Sequence, residues 1–335
     1  MRSTAALLLL LLLAAAVLTA AQADPLAAEI ERWTAFIRGD AGSGEMWGQV
    51  KSSVEPLLAR AASALKNGRR LLALQRFAVV RVNLEAATSA FKQEDAAAFE
   101  ARWRREGIAF RDVADVDQIQ PAALRALAEI AAPQAKIYYE ASLEYSRSTT
   151  TESGLFYLGL AHAQKSFLEF ARKSSIPTAQ KPPALRSLRN ELDALERELL
   201  AAYRPPISID KHPEFIVASS MVKEARELEA AGYRYGALLR YLEASRRTAQ
   251  IRGLEMGRDE ASRLVRQYER RFAAENLDHS IGRLFIELAD DDPAHTDSVA
   301  AAALPRYVAA LAPAAPPAAK PKPAVTVTLV RWPYT

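Results

Sequence analysis

One eleven-residue phrase is written twice in this chain. NGRRLLALQRF runs from Asn67 to Phe77, and AGYRYGALLRY runs from Ala231 to Tyr241. The copies agree at Gly68/Gly232, Arg70/Arg234, Ala73/Ala237, Leu74/Leu238 and Arg76/Arg240, and each closes on an aromatic, Phe77 or Tyr241. Each copy follows one apolar helical stretch and opens another. A glycine between two helices supplies the positive φ that turns the chain back. The alanine five residues on lets the paired helix approach closely. The aromatic four residues further lies one turn along the same face and fills the space below. Leu57/Met221 and Ala61/Ala225 match on the preceding helices. The phrase therefore predicts two antiparallel helix hairpins.

The rest of the chain favours the same class. Its 335 residues suit one or two domains, and 50% are hydrophobic, enough for a sizeable core. Alanine dominates the apolar set, which favours helix over strand. There is no cysteine, which excludes disulfides, thiolate catalysis, cysteine-based zinc sites and lipid attachment at a cysteine.

Residues 1–23, MRSTAALLLLLLLAAAVLTAAQA, read as a secretory signal peptide, with Arg2 as the basic end, a leucine run and an A-x-A site at Ala21-Gln22-Ala23. The mature chain is expected to start at Asp24 and to be periplasmic or secreted. The alternative is an uncleaved anchor. No other segment is apolar enough to span a bilayer. The formal charge is +4, and loss of Arg2 with the leader leaves +3. Lys320, Lys322 and Arg331 in the tail account for that excess, so the body is neutral and nucleic acid is not an expected partner.

Periodicity places helices at 26–38, 47–66, 70–91 and 96–110, then from Pro121 to 131, from Pro133 onward, and at 155–170. Pro56 either kinks the second helix or marks its start. Leucines at 185, 188, 192, 195 and 199 alternate spacings of three and four, a seam pattern read as one helix over 184–203. Helices follow at 212–231, 235–251, 259–274, 277–288 and 299–311. The expected organisation is an N-terminal helical region, 24–177, and a C-terminal one, 178–311, carrying the second hairpin. A Pro/Ala/Lys linker, 312–324, and a strand-like tail, 325–335, complete it.

Met221, Ala225, Leu228, Gly232, Ala237, Tyr241 and Ala244 fall on signature positions of the tetratricopeptide family of helical-hairpin repeats, which the chain resembles. Leu57, Ala61, Gly68, Ala73 and Phe77 do so in the first copy, and LFYLGLAH, 155–162, resembles the first helix of such a unit. Glu224 stands at a usually apolar place, no proline follows Ala244, and the spacing of copies is irregular. The resemblance covers about a third of the chain. It implies an all-α, irregular solenoid of antiparallel hairpins that binds a protein or peptide on its concave face. In that register Lys223 and Arg226 face the groove and meet acidic side chains or a terminal carboxylate.

Little in the sequence points to chemistry. His162, His212, His279 and His295 share no metal-ligand spacing. Asp290 to Asp292 suits either a hard cation or a capped helix end before Pro293. Asp112, Asp115 and Asp117 lack the turn glycine and distal glutamate of a calcium loop. No P-loop, G-x-S-x-G or G-x-G-x-x-G is present. No catalytic residue, metal or cofactor is assigned. Arg246-Arg247 and Arg102 to Arg105 are expected on exposed helix faces. The reading is an exported, non-enzymatic helical scaffold. The alternatives are a cell-wall hydrolase built around a buried carboxylate, and a structural subunit of an envelope or secretion assembly. The tail, with Trp332 and Tyr334, is expected either to add a strand to a partner's sheet or to fold back on the body.

Overall fold

The computed structural model describes residues 24–39, 45–90, 94–111, 115–254 and 256–312. Residues 1–23, read above as a leader, and residues 313–335, including Trp332 and Tyr334, lie outside the described residues, as does Asp112. The described residues form an all-α array. Helices run over Pro25–Arg38 (α1), Glu45–Lys66 (α2), Arg70–Ala90 (α3), Ala96–Glu106 (α4), Ala122–Ser148 (α5) and Thr151–Lys173 (α6). They continue with Arg189–Ala202 (α7), His212–Ala230 (α8), Arg234–Ile251 (α9), Arg258–Ala274 (α10) and Ser280–Asp291 (α11). A π-helical turn, Val299–Ala303, leads into Leu304–Ala310 (α12). Among the described residues no helix is long and apolar enough to cross a membrane.

Both copies of the phrase make the same turn. Gly68 has φ +75° and Gly232 has φ +87°. The Gly68 N–H donates to the Leu65 carbonyl at 3.0 Å and Arg69 N–H to Ala64 at 2.9 Å. In the second copy Gly232 donates to Glu229 at 3.1 Å and Tyr233 to Leu228 at 2.9 Å. This paired pattern is the Schellman cap, which needs a left-handed residue at that place. Ala73, Ala237, Phe77 and Tyr241 are all buried, as the phrase implies. Gly232→Val is expected to destabilise by about 1 kcal/mol or more through backbone strain alone, because space around its Cβ is open. Ala237→Leu overfills the crossing and costs about 1–3 kcal/mol. Urea melts check both, and parent-like midpoints would contradict the hairpin register.

The hairpins α2/α3 and α8/α9 flank a central pair, α5/α6. α3 lies against α6, and α9 lies against α5. The α3–α6 approach is set by Gly159, where a Cβ would stand 2.6 Å from Ser89 Cβ and 2.9 Å from Ala86 Cα. α7 closes one end against α8, while α11 and α12 cross the array onto α3 and α9.

The second helix of each repeated hairpin is capped by a glutamate from elsewhere, half-buried Glu287 in the first copy and buried Glu129 in the second. Glu287 on α11 accepts from the Leu72 N–H at 2.8 Å. Glu129 on α5 accepts from the Gly236 N–H at 2.8 Å. Leu72 and Gly236 are equivalent in the repeat. These amides are among those a helix start leaves without partners, and carboxylates suit its positive end.

Three expectations are corrected. Pro133 does not start a helix: it sits inside the 27-residue α5, where the long seam with α6 outweighs the one lost hydrogen bond. Of the two readings left open for Pro56, a helix start is the one excluded, because α2 begins at Glu45 and carries Pro56 inside it. The helix read from Ala184 begins only at Arg189, because residues 184–186 are extended and pair with the end of α12. Arg186 N–H donates to Ala310 at 3.1 Å and Ala312 N–H to Ala184 at 2.8 Å. The helix expected from Leu277 starts at Ser280, since Asp278 and Ser280 instead accept from Ala122 and Ala123 N–H at the start of α5, at 2.6 and 2.8 Å.

Candidate functional site

Two hollows compete for attention. The larger, about 720 Å³, lies beside α5 and α6. Its charges balance, with Lys136, Lys165 and Arg172 across from Asp115, Glu140 and Glu169. The smaller, about 310 Å³, lies between the two repeated hairpins, and its charges do not balance. Arg60, Arg76, Arg240, Arg246 and Arg247 line it against one carboxylate, Glu243. The matched residues Leu57/Met221 and Arg76/Arg240 both face it, so each copy of the phrase contributes the same arginine. A shallower hollow of about 220 Å³ shares the wall formed by Gln75, Val79, Arg240 and Glu243.

A polar network crosses that wall. Arg240 Nε lies 2.7 Å from Glu224 Oε2, and its NH1 donates to Glu243 at 2.8 Å. Gln75 donates to the other Glu243 oxygen. Gln134 donates to Glu224, and Gln164 donates to Gln134 at 2.8 Å. The network ties α3, α9, α8, α5 and α6 together. Arg76 belongs to a second cluster with Arg69, in which Asp291 accepts from both, at 2.6 and 2.8 Å. Asp291 is thus engaged by two guanidiniums, and Asp292 caps the turn after α11 by accepting from Ala294 N–H at 2.9 Å.

Arg246 is different. It is only 8% exposed, and its Nε has no hydrogen-bond partner. Its NH1 reaches Gln250 Oε1 at 3.1 Å and His295 Nδ1 at 3.3 Å, both neutral acceptors. Burial, reinforced by Arg247, pushes its guanidinium down to about 10. His295 is held below the ordinary imidazole range by burial and by Arg246. Arg247, half-buried beside it, also has an unpartnered Nε.

Burial raises the carboxyl pKa of three glutamates, Glu129, Glu224 and Glu287. Each is committed to structure. Glu129 binds Arg125 and the start of α9, Glu224 binds Arg240 and Gln134, and Glu287 binds the start of α3. None is held as an acid facing open space.

The groove residues read from the sequence fall elsewhere. Lys223 on α8 points to solvent, 3.9 Å from Glu227. Arg226 reaches α7, where Asp193 and Glu196 accept at 2.8 and 2.6 Å, so the chain's own helix covers that face. His162 meets Glu106 at 2.8 Å, and His279 lies buried between Tyr307 and Glu275. The Arg246-Arg247 pair was expected on an exposed face. α9 has almost no such face: its neighbours on every side are buried. That all-round packing was the signal for a buried arginine. Compared with protein-family models, curated proteins and solved structures, the chain matches none.

Proposed function

We propose that this chain is an exported, non-enzymatic scaffold of tetratricopeptide-like hairpins that binds another protein or peptide. The observation that carries this reading is the pair of matched hairpins with identical glycine caps on either side of a central helix pair. Such stacking leaves recessed surface between repeats, the usual docking place in helical arrays. The commitment of the raised-pKa glutamates to caps and ion pairs favours a scaffold over the hydrolase alternative. Export rests on the leader. Asp24, the first residue after the expected cut, caps α1 by accepting from Leu26 N–H at 3.0 Å and pairs with Arg70. A chain cut there keeps these contacts.

The test uses the exported full chain as bait, its intact mass confirmed to begin at Asp24, beside a chain lacking residues 313–335. Crosslinking and mass spectrometry are expected to give one stoichiometric protein partner for the full chain. If the tail docks on that partner, the shortened chain loses it with an unchanged melting temperature. A lower melting temperature instead assigns the tail to the body. Cell-wall hydrolysis by the purified chain, with no partner found, would overturn the scaffold reading.

A further inference from the structure

We propose that the hollow between the two hairpins is a binding site for a small oxyanion, a phosphate or carboxylate group, seated on Arg246 and Arg247. The guanidiniums deep in the hollow differ in what already pairs with them. Arg240 is paired with Glu224 and Glu243, and Arg76 shares Asp291 with Arg69. Among the described residues Arg246 and Arg247 have no ion-pair partner, and each keeps a buried Nε without an acceptor.

An isolated charge at this depth is among the least favourable things a fold can hold, and buried charges are ordinarily paired. The neutral side chains of Gln250 and His295 hold Arg246 in place without cancelling its charge. A third group, supplied from outside, completes the set. Guanidinium forks match phosphate and carboxylate oxygens in geometry. Leu72, Val80, Phe285 and Leu288 add apolar wall beside the guanidiniums, which lowers the local dielectric and strengthens the attraction. The acids that act on Arg246 are Glu243, already shared between Gln75 and Arg240, and Asp292 beyond His295. At about 310 Å³ the hollow sits at the small end of ligand pockets, which suits a small molecule or free anion and not a polypeptide segment. The site therefore stands apart from the scaffold reading, and either can fail alone.

The test is calorimetric titration and thermal melting of the full chain with inorganic phosphate and, separately, acetate, against sodium chloride at equal ionic strength. One-site binding is expected, with a rise in melting temperature for the anion that fits. Arg246→Met is expected to weaken binding about tenfold or more, the loss of one charge-assisted contact. Without anion the same variant melts at or above the parent's temperature, because it removes an unpaired buried charge. A purely structural arginine would give the opposite, a lower melting temperature. Arg247→Met, at a half-buried position, gives the same loss of binding and carries the test if the first variant does not fold. Binding of acetate but not phosphate assigns a carboxylate ligand, and the reverse assigns a phosphate. No binding of either anion beyond chloride, or parent-like binding by both variants, overturns the proposal.

Discussion

Replacing Arg240 by methionine lowers stability by about 3 kcal/mol at neutral pH. The substitution keeps most of the side chain's volume, so the loss comes from charge. Glu224 and Glu243 would face each other across α8 and α9 without the guanidinium that now lies 2.7 and 2.8 Å from them. Breaking a buried pair by removing one partner costs about 3–5 kcal/mol. The lower end applies because Arg240 and Glu224 each keep about a fifth of their side chains exposed. The sign of the pH dependence follows from Glu224. Burial already raises its carboxyl, and Arg240 is the chief opposing influence. With the arginine gone the folded-state pKa rises further above the unfolded value of about 4.3. Stability tied to such a group is present below that value and is lost as pH rises through the folded pKa. The deficit of the variant is therefore smallest in acid and grows toward neutrality. Urea melts at acidic and neutral pH test this, and Glu224→Gln with Glu243→Gln in the same chain should recover much of the loss. A single variant within 1 kcal/mol of the parent at neutral pH would mean that the network contributes little.

Phe77→Ala is expected to cost about 3–5 kcal/mol, the range for deleting a buried aromatic. Phe77 is completely buried on α3, and its ring meets Phe170 of α6 edge-on at 5.7 Å. α3 and α6 are already held close further along the same seam, at Gly159, which limits how far the vacated space can collapse. The equivalent Tyr241→Ala disturbs α9 instead. If the two losses differ widely, the copies occupy unequal places in the core despite their shared phrase. A midpoint shift for Phe77→Ala worth under about 1 kcal/mol would place the α3–α6 seam elsewhere.

The hairpins were legible because each turn demands a residue that tolerates positive φ, and only glycine does so without strain. The same cannot be said of Pro133. A proline announces a break by local rules, and the compensating seam with α6 is made of residues distant in sequence. Leu185 and Leu188 carry the spacing of a helix seam, and both are buried, yet both lie before α7 begins. Burial was readable from their identity. The backbone shape was not, because it depends on the end of α12. The candidate site was hidden for a related reason. Arg246 looks like an ordinary surface arginine until α3, α9, α11 and His295 are brought together, and its lack of a counter-charge is a property of that assembly.

The two glutamate caps have a consequence for the order in which the chain can take shape during synthesis. Leu72 on α3 waits for Glu287, which follows it by 215 positions. The first hairpin therefore emerges from the ribosome long before its second helix can be finished at the N-terminal end. α9 meets its own cap at once, since Glu129 has already been made. The later copy is thus able to mature first and the earlier copy last. A ribosome stalled just after α11, with Glu287 still inside the exit tunnel, would hold a nascent chain whose second hairpin is better protected from proteolysis than its first.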